Sequence, residues 1–186
     1  MKVSIIIPFY NASATIERCI KSAIAQTYKS IEIICVDNNS EDDSVNIIQK
    51  YLNEYDNIFF YTESRKGANF ARNLGTKKAS GAWINYLDAD DFLDDNKIDN
   101  QVKILNAIKK HSFIASSYYY VTTSGEKRKN YIKSLDTWKN LFSGNLGITS
   151  SNLFKKTNVL KVGMWNEAYN SSQEAELMFK IMKIYV

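Results

Sequence analysis

Two kinds of apolar pattern alternate along the first half of the chain. Residues 3–7 form a run that is β-branched at every position but Ser4, as a strand buried on both faces favours, and it stops at Pro8, the only proline. Ile16, Ile20, Ala23 and Ile24 then recur at helical spacing, with Asn11 or Ser13 placed to cap the helix. A second buried strand, 31–36, ends at Asp37. Asn39 and Ser40 open a helix whose first turn is the acidic Glu41-Asp42-Asp43 and whose apolar face is Val45, Ile48 and Leu52. A third strand (58–61) leads through Gly67 into a helix over 68–79, and a fourth (83–87) runs straight into Asp88, Asp90 and Asp91.

Four strand and helix alternations of this kind predict an α/β fold with a mostly parallel central sheet flanked by helices. Ligands of such sheets bind at the carboxyl ends of the strands, where Asp37, Asp88 and Asp90 all fall. The second half is less regular. It reads as a helix over 98–108, an aromatic strand over 113–121, an apolar segment over 138–142 and a final helix from about Ser172 to the end.

With 186 residues and 45% hydrophobic content, one core and one domain are expected. The net charge of +4, densest at Lys127-Arg128-Lys129, suits an anionic ligand or an acidic membrane surface, but a solvated face is the reading preferred on the residues alone. No feature suggests nucleic acid as a partner. Cys19 and Cys35 sit inside apolar patterns and read as buried free thiols, which fits a reducing compartment; a cytoplasmic location, at most peripheral to the inner face of a membrane, is expected. The start lacks a signal-peptide pattern, and no apolar run approaches the ~20 residues of a membrane-spanning helix.

The segment Tyr86-Leu87-Asp88-Ala89-Asp90-Asp91 carries the most chemistry. Carboxylates this close repel unless a cation or donors neutralise them, so a divalent metal is the natural reading. An EF-hand is excluded by Phe92 at a ligand position and Leu93 where glycine is needed. The competing reading is an acidic turn in which Asp90 or Asp91 caps the next helix. Neither Gly-x-Gly-x-x-Gly nor Gly-x-x-x-x-Gly-Lys-Ser/Thr is present, so phosphates would depend on a cation, Mg²⁺ or Mn²⁺, held by Asp88 and Asp90.

Val3-Ser4-Ile5-Ile6-Ile7-Pro8-Phe9-Tyr10-Asn11, Gln26-Thr27-Tyr28, Val36-Asp37-Asn38-Asn39-Ser40, Gly67-Ala68-Asn69-Phe70-Ala71-Arg72-Asn73 and Leu87-Asp88-Ala89-Asp90-Asp91 together resemble the family 2 glycosyltransferases of the GT-A fold. The resemblance implies a nucleotide-binding half over 1–95 and an acceptor-side half, incomplete here, over 96–186. It places Pro8, Phe9 and Tyr10 along the donor's nucleobase, Asp37 on the base, Arg72 near the nucleotide, Asp88 toward the ribose and Asp90 on the metal. It implies a nucleotide-diphosphate sugar, UDP-linked by preference, as donor and a glycan or lipid-linked acceptor, in cell-surface polysaccharide synthesis. Asn38-Asn39 stands where the family commonly has Asp-Gly, a mild change because Asn tolerates a left-handed backbone. On their own residues, Asp37 could as well be a helix-entry acid and Arg72 a surface ion pair.

The resemblance also implies a catalytic base at Glu174, with Gln173 replacing the usual preceding acid. Helical spacing agrees: Leu177, Met178, Ile181, Met182 and Tyr185 form an apolar stripe that Glu174 shares, whereas Glu176 is rotated away and expected to face solvent. The alternative for Glu174 is a capping box with Ser171. His111 reads as a charge partner at a helix C-terminus, and Tyr118-Tyr119-Tyr120 as a strand with one buried face. Gly144 to Ser151 reads as a loop between the metal motif and Glu174 in chain order. A sugar nucleotidyltransferase would need a glycine-rich basic loop after the first strand, which residues 11–14 do not supply. A fragment that binds donor without transferring sugar is the other alternative.

Overall fold

The computed structural model describes residues 1–107, 112–122, 124–134, 136–169 and 171–185. The expected alternation is present: β1 (Val3–Phe9), α1 (Ile16–Ile24), β2 (Ile31–Asp37), α2 (Ser44–Leu52), β3 (Ile58–Thr62), α3 (Ala68–Lys78) and β4 (Trp83–Tyr86). There follow α4 (Lys97–Ala107), β5 (Phe113–Ile114), β6 (Tyr118–Val121), β7 (Lys127–Asn130), α5 (Thr137–Phe142), β8 (Leu153–Lys155), α6 (Lys156–Lys161) and α7 (Gln173–Tyr185). The main sheet has the order β3-β2-β1-β4-β8-β5, and only β8 runs antiparallel to its neighbours.

Strand β1 passes through Pro8 instead of stopping there. Even-numbered residues of β1 turn their backbone groups toward β4: Leu87 N–H donates to Ile6 O, and the pairing ends at Ile6 opposite Tyr86. Pro8 lies beyond that end, so its missing N–H leaves no gap in the sheet. Both faces are covered. Ile5, Ile7, Ile16, Ile20, Ile33 and Ile48 pack on one side, and Ile6, Ile34, Ala71, Ile84, Trp165, Leu177 and Ile181 on the other.

Several local expectations are corrected. The acids before α2 lie outside the helix, where Asp42 accepts from Ser13 N–H and from Ser44, because those donors hold the turn open. Helix α1 starts at Ile16, after Thr15, and neither Asn11 nor Ser13 is its N-cap; the Thr15 side chain at that position makes no capping hydrogen bond. The aromatic stretch divides: Phe113–Ile114 joins the main sheet, and Tyr118–Val121 pairs with β7 in a separate ribbon. The short β8 was not foreseen, since three residues are too few for a period. His111 lies outside the described residues.

Candidate active site

The carboxyl ends of β1, β2 and β4 open into a cavity of about 450 Å³. Pro8, Phe9, Tyr10, Asn38, Arg72 and Asp88 line it, with Lys66, Gly67 and Ala68 at the start of α3. The size is that of a small-molecule site, and the backbone N–H groups at a helix N-terminus beside Lys66 and Arg72 favour an anion. Asp37 is buried beside the cavity at the end of β2; its Oδ1 accepts from Ser40 N–H (3.0 Å), and its other oxygen has no partner among the described residues.

The turn after Asp37 depends on two asparagines. Asn38 donates to Glu63 O (2.9 Å) and Arg65 O (2.7 Å) and accepts from Gly67 N–H (2.7 Å). Asn39 adopts φ 68°, the left-handed conformation for which the sequence lacks a glycine, and donates to Glu63 O and Ser64 O. Together they fix the β3–α3 loop that forms one wall of the cavity. Arg65 in that loop holds the Glu63 carboxyl down to about 2, chiefly through its side-chain hydrogen bonds.

Helix α3 presents Asn69, Arg72 and Asn73 on one buried face, the i, i+3, i+4 spacing of a helix. Asn73 exchanges hydrogen bonds with the backbone of Trp165, and Asn69 donates to Asn166 O and Tyr169 O, so this face grips the segment leading to α7. Arg72 connects the two halves. Its Nη2 donates to Asp88 Oδ1 (2.7 Å), and its Nη1 donates to Asn69 Oδ1 (2.9 Å) and Gln173 Oε1 (2.6 Å). The guanidinium lies 4.7 Å above the Trp165 ring. Arg72 is therefore a buried organiser rather than a surface ion pair.

The acids divide their work. Asp88 is pinned by Arg72 and by Ser150 Oγ, which accepts from Asp88 N–H (3.1 Å). Asp91 accepts from Ser150 Oγ (2.5 Å); burial first, then the charges of Asp88 and Asp90, push its carboxyl up. Asp91 does not cap α4, which begins six residues later. Asp90 is exposed, and its carboxylate has no partner among the described residues, while its backbone oxygen accepts from Arg18. No group of three or more acid, histidine or cysteine side chains converges as a metal cage among the described residues. The donor set does fit Mg²⁺ or Mn²⁺, which are held by one or two carboxylates with substrate phosphate completing the sphere.

A second cleft, of about 460 Å³, is lined by Asp90, Asp91, Ser150, Tyr118 and Tyr120 among others, and Glu174 is not among its lining residues. Glu174 stands at the start of α7, half-buried, next to the Gln173 that Arg72 holds. Its charge reaches Tyr118, whose phenol is pushed up by burial, by its hydrogen bond with Tyr120 and by Glu174. No hydrogen bond joins Ser171 to Glu174 among the described residues. Ser172 at φ 51° directly precedes the helix, which leaves Glu174 in its second position, one short of the capping-box register. Glu176 does not face solvent as expected. Lys180 pairs with it at 3.2 Å while donating to Met164 O, so the segment before α7 covers that face.

Lys66, Asn38 and Ser150 were not foreseen as site residues. Asn38 carried a signal, standing beside Asp37 at a strand end; Ser150 had only a small polar run, Thr149-Ser150-Ser151-Asn152, all of it buried.

Residues 4–169 match the family described as Glycosyl transferase family 2. The chain is 32% identical to an uncharacterized glycosyltransferase of Rickettsia typhi, across 98% of this chain and 59% of that protein. It is 42% identical to the UDP-Glc:alpha-D-GlcNAc-diphosphoundecaprenol beta-1,3-glucosyltransferase WfaP of Escherichia coli, across 64% of this chain and 46% of that one. The chain thus spans about half the length of these relatives. Among solved structures, S. aureus TarS in complex with UDP superposes with a TM-score of 0.79 at 20% identity, covering 100% of this chain and 55% of TarS. The mannosyltransferase PcManGT of Pyrobaculum calidifontis, in complex with GDP-Man and Mn²⁺, gives 0.78 at 18%, covering 99% and 52%. The mostly parallel sheet with flanking helices is the GT-A fold that these neighbours share. By sequence across residues 4–169 and by fold, this chain belongs to glycosyltransferase family 2.

Proposed function

We propose that the protein is an inverting, metal-dependent glycosyltransferase that moves a hexosyl group from a nucleotide-diphosphate sugar to a hydroxyl of a glycan or lipid-linked acceptor in cell-surface polysaccharide synthesis. The observation that carries this is the Arg72 bridge, which ties Asp88 at the donor cavity to Gln173, the neighbour of Glu174 at the start of α7. A transfer reaction needs both halves held in register, because misplacement of the reacting groups by ~1 Å costs about 10²-fold in rate.

In this reading Pro8, Phe9 and Tyr10 flank the nucleobase, the free oxygen of Asp37 accepts from it, and Lys66, Arg72 and the α3 N-terminus face the diphosphate. Glu174 takes the proton of the acceptor hydroxyl, whose oxygen bonds to the anomeric carbon from the face opposite the diphosphate. The bond from that carbon to the diphosphate oxygen breaks, and its electron pair leaves with the nucleotide. A divalent cation at Asp90 and Asp88 would supply positive charge to the leaving diphosphate. A UDP donor is favoured by the UDP bound to TarS and by the name of WfaP, although PcManGT was solved with GDP-Man, and the Mn²⁺ in that complex supports the cation. The diphosphoundecaprenol in the name of WfaP supports a lipid-linked acceptor.

The test is calorimetric titration of UDP with and without Mn²⁺, followed by assay of donor hydrolysis. Asp90→Ala should abolish the Mn²⁺-dependent gain in UDP affinity, and its persistence would remove Asp90 from the metal. Glu174→Gln should keep UDP binding and lose slow release of free sugar by about 10²–10⁴-fold. UDP binding with no turnover in the unaltered protein would leave a donor-binding module in place of a transferase.

A further inference from the structure

The ribbon of β6 and β7 does not join the six-stranded sheet, and its exposed side chains have a consistent chemistry. Cross-strand pairing places Tyr119 opposite Lys129 and Val121 opposite Lys127, so these four share one face. Tyr131 continues that face: the Lys129 ammonium lies 5.6 Å from the Tyr119 ring and 4.7 Å from the Tyr131 ring. Tyr119, Val121 and Tyr131 are 45%, 42% and 59% exposed, where a water-facing ribbon needs no aromatic surface. On the other face Tyr118, Tyr120 and Asn130 are hydrogen-bonded to one another, although Tyr120 is still 58% exposed; the buried face expected for this strand is absent, and what sets the first face apart is its lysines.

The charge is one-sided as well. Arg128 is matched by Glu126 at 3.1 Å, but no acid pairs with Lys127 or Lys129 among the described residues. Tyrosines with a polar tip on an apolar body, set between lysines with long apolar stems, match the boundary between lipid headgroups and acyl chains. Free ammonium groups match a negative lipid surface. An isolated two-stranded ribbon is also marginal in water and gains from a surface to lie on.

We propose that the β6–β7 ribbon docks this protein on an anionic lipid surface through Tyr119, Val121, Lys127, Lys129 and Tyr131. Lys127 and residues 118–122 also line the second cleft, which Asp90 lines too, so docking would bring that cleft to the headgroups. Entry of a lipid-linked acceptor by that route rests on the function proposed above; the docking itself does not.

The experiment is co-sedimentation of the whole chain with vesicles of phosphatidylcholine alone and of phosphatidylcholine containing phosphatidylglycerol. The protein should partition onto the anionic vesicles, far less onto the neutral ones, and salt should weaken the binding. Each lysine near the surface is worth roughly fivefold in partition, so K127A/K129A should lose about 25-fold. Y119S/Y131S should also weaken binding, at unchanged net charge. Circular dichroism on the same preparations confirms folding, and titration of UDP and of GDP with Mn²⁺ reads the donor site separately: vesicle binding without binding of either nucleotide keeps the docking surface and overturns the proposed function. Equal partition onto both vesicle types, or a K127A/K129A protein that binds like the original, overturns the docking proposal. Binding to a soluble polyanion such as heparin without binding to anionic vesicles overturns it too, in favour of an acidic glycan.

Discussion

Replacing Arg72 with methionine keeps an unbranched apolar stem over Trp165 and removes the guanidinium. Three hydrogen bonds are lost, to Asn69, Gln173 and Asp88. They do not count equally. Asn69 is 3% exposed and its Oδ1 would be stranded, at about 1–3 kcal/mol. The Gln173 amide is half-buried at a helix start and can turn to water in part, for about 1 kcal/mol. Asp88 has a side chain 31% exposed, so water takes over most of the lost partner and the ion pair itself is worth ~1 kcal/mol or less. Against these stands relief from burying a cation whose Nε has no partner among the described residues. The net expectation is about 3 kcal/mol of destabilisation, which for a chain of this length lowers the melting temperature by roughly 6–12 °C. Differential scanning calorimetry of Arg72→Met measures it, and the double variant with Asp88→Asn should show a coupling below ~1 kcal/mol. A melting temperature unchanged within ~2 °C would refute the idea that this guanidinium fastens α3 to α7.

Two further outcomes follow from packing and titration. A Cβ at Gly75 would lie 2.4 Å from Ile6 Cγ2 in the centre of the sheet, so Gly75→Ala should lower the urea midpoint by the equivalent of about 1–3 kcal/mol; a raised midpoint, as helix propensity alone predicts, would sink this packing account. Burial alone would raise the Glu32 carboxyl, but hydrogen bonds from Lys2, Ser4 and Ser80 outweigh it and hold the group down to about 2 in the folded protein, against 4.5 for the free side chain. Its contribution of about 3 kcal/mol is therefore complete above pH ~4.5 and lost as the pH falls toward ~2, and Glu32→Gln should flatten that limb of a stability-against-pH curve measured by urea unfolding.

The buried strands and amphipathic helices of the first half were legible because a strand or helix repeats its pattern over several residues. The same local logic placed Asp37, Asp88 and Asp90 at strand ends; the left-handed residue at Asn39 was legible only from the family resemblance, which has glycine there, and few residues other than glycine and asparagine take that conformation readily. The second half was less legible. Strand β8 has three residues, and the split between β5 and β6 depends on which partner each strand meets, Leu153–Phe154 or Lys127–Asn130. Glu176 was misjudged because helical period gives the angle of a side chain but not what packs there from elsewhere in the chain.

The sequence by itself determined the α/β alternation, the family pattern and the residue types available for chemistry, all of which reside in local period and short motifs. Tertiary structure decided how those residues are used. That Arg72 is buried and holds Asp88 and Gln173 together, that Ser150 is shared by Asp88 and Asp91, and that a basic aromatic ribbon borders the second cleft are all contacts between distant segments. Hydrogen bonds of 2.5–3.1 Å across 16 to 101 positions of sequence leave no periodic trace in the chain; only the packed sheet and helices bring such partners within reach.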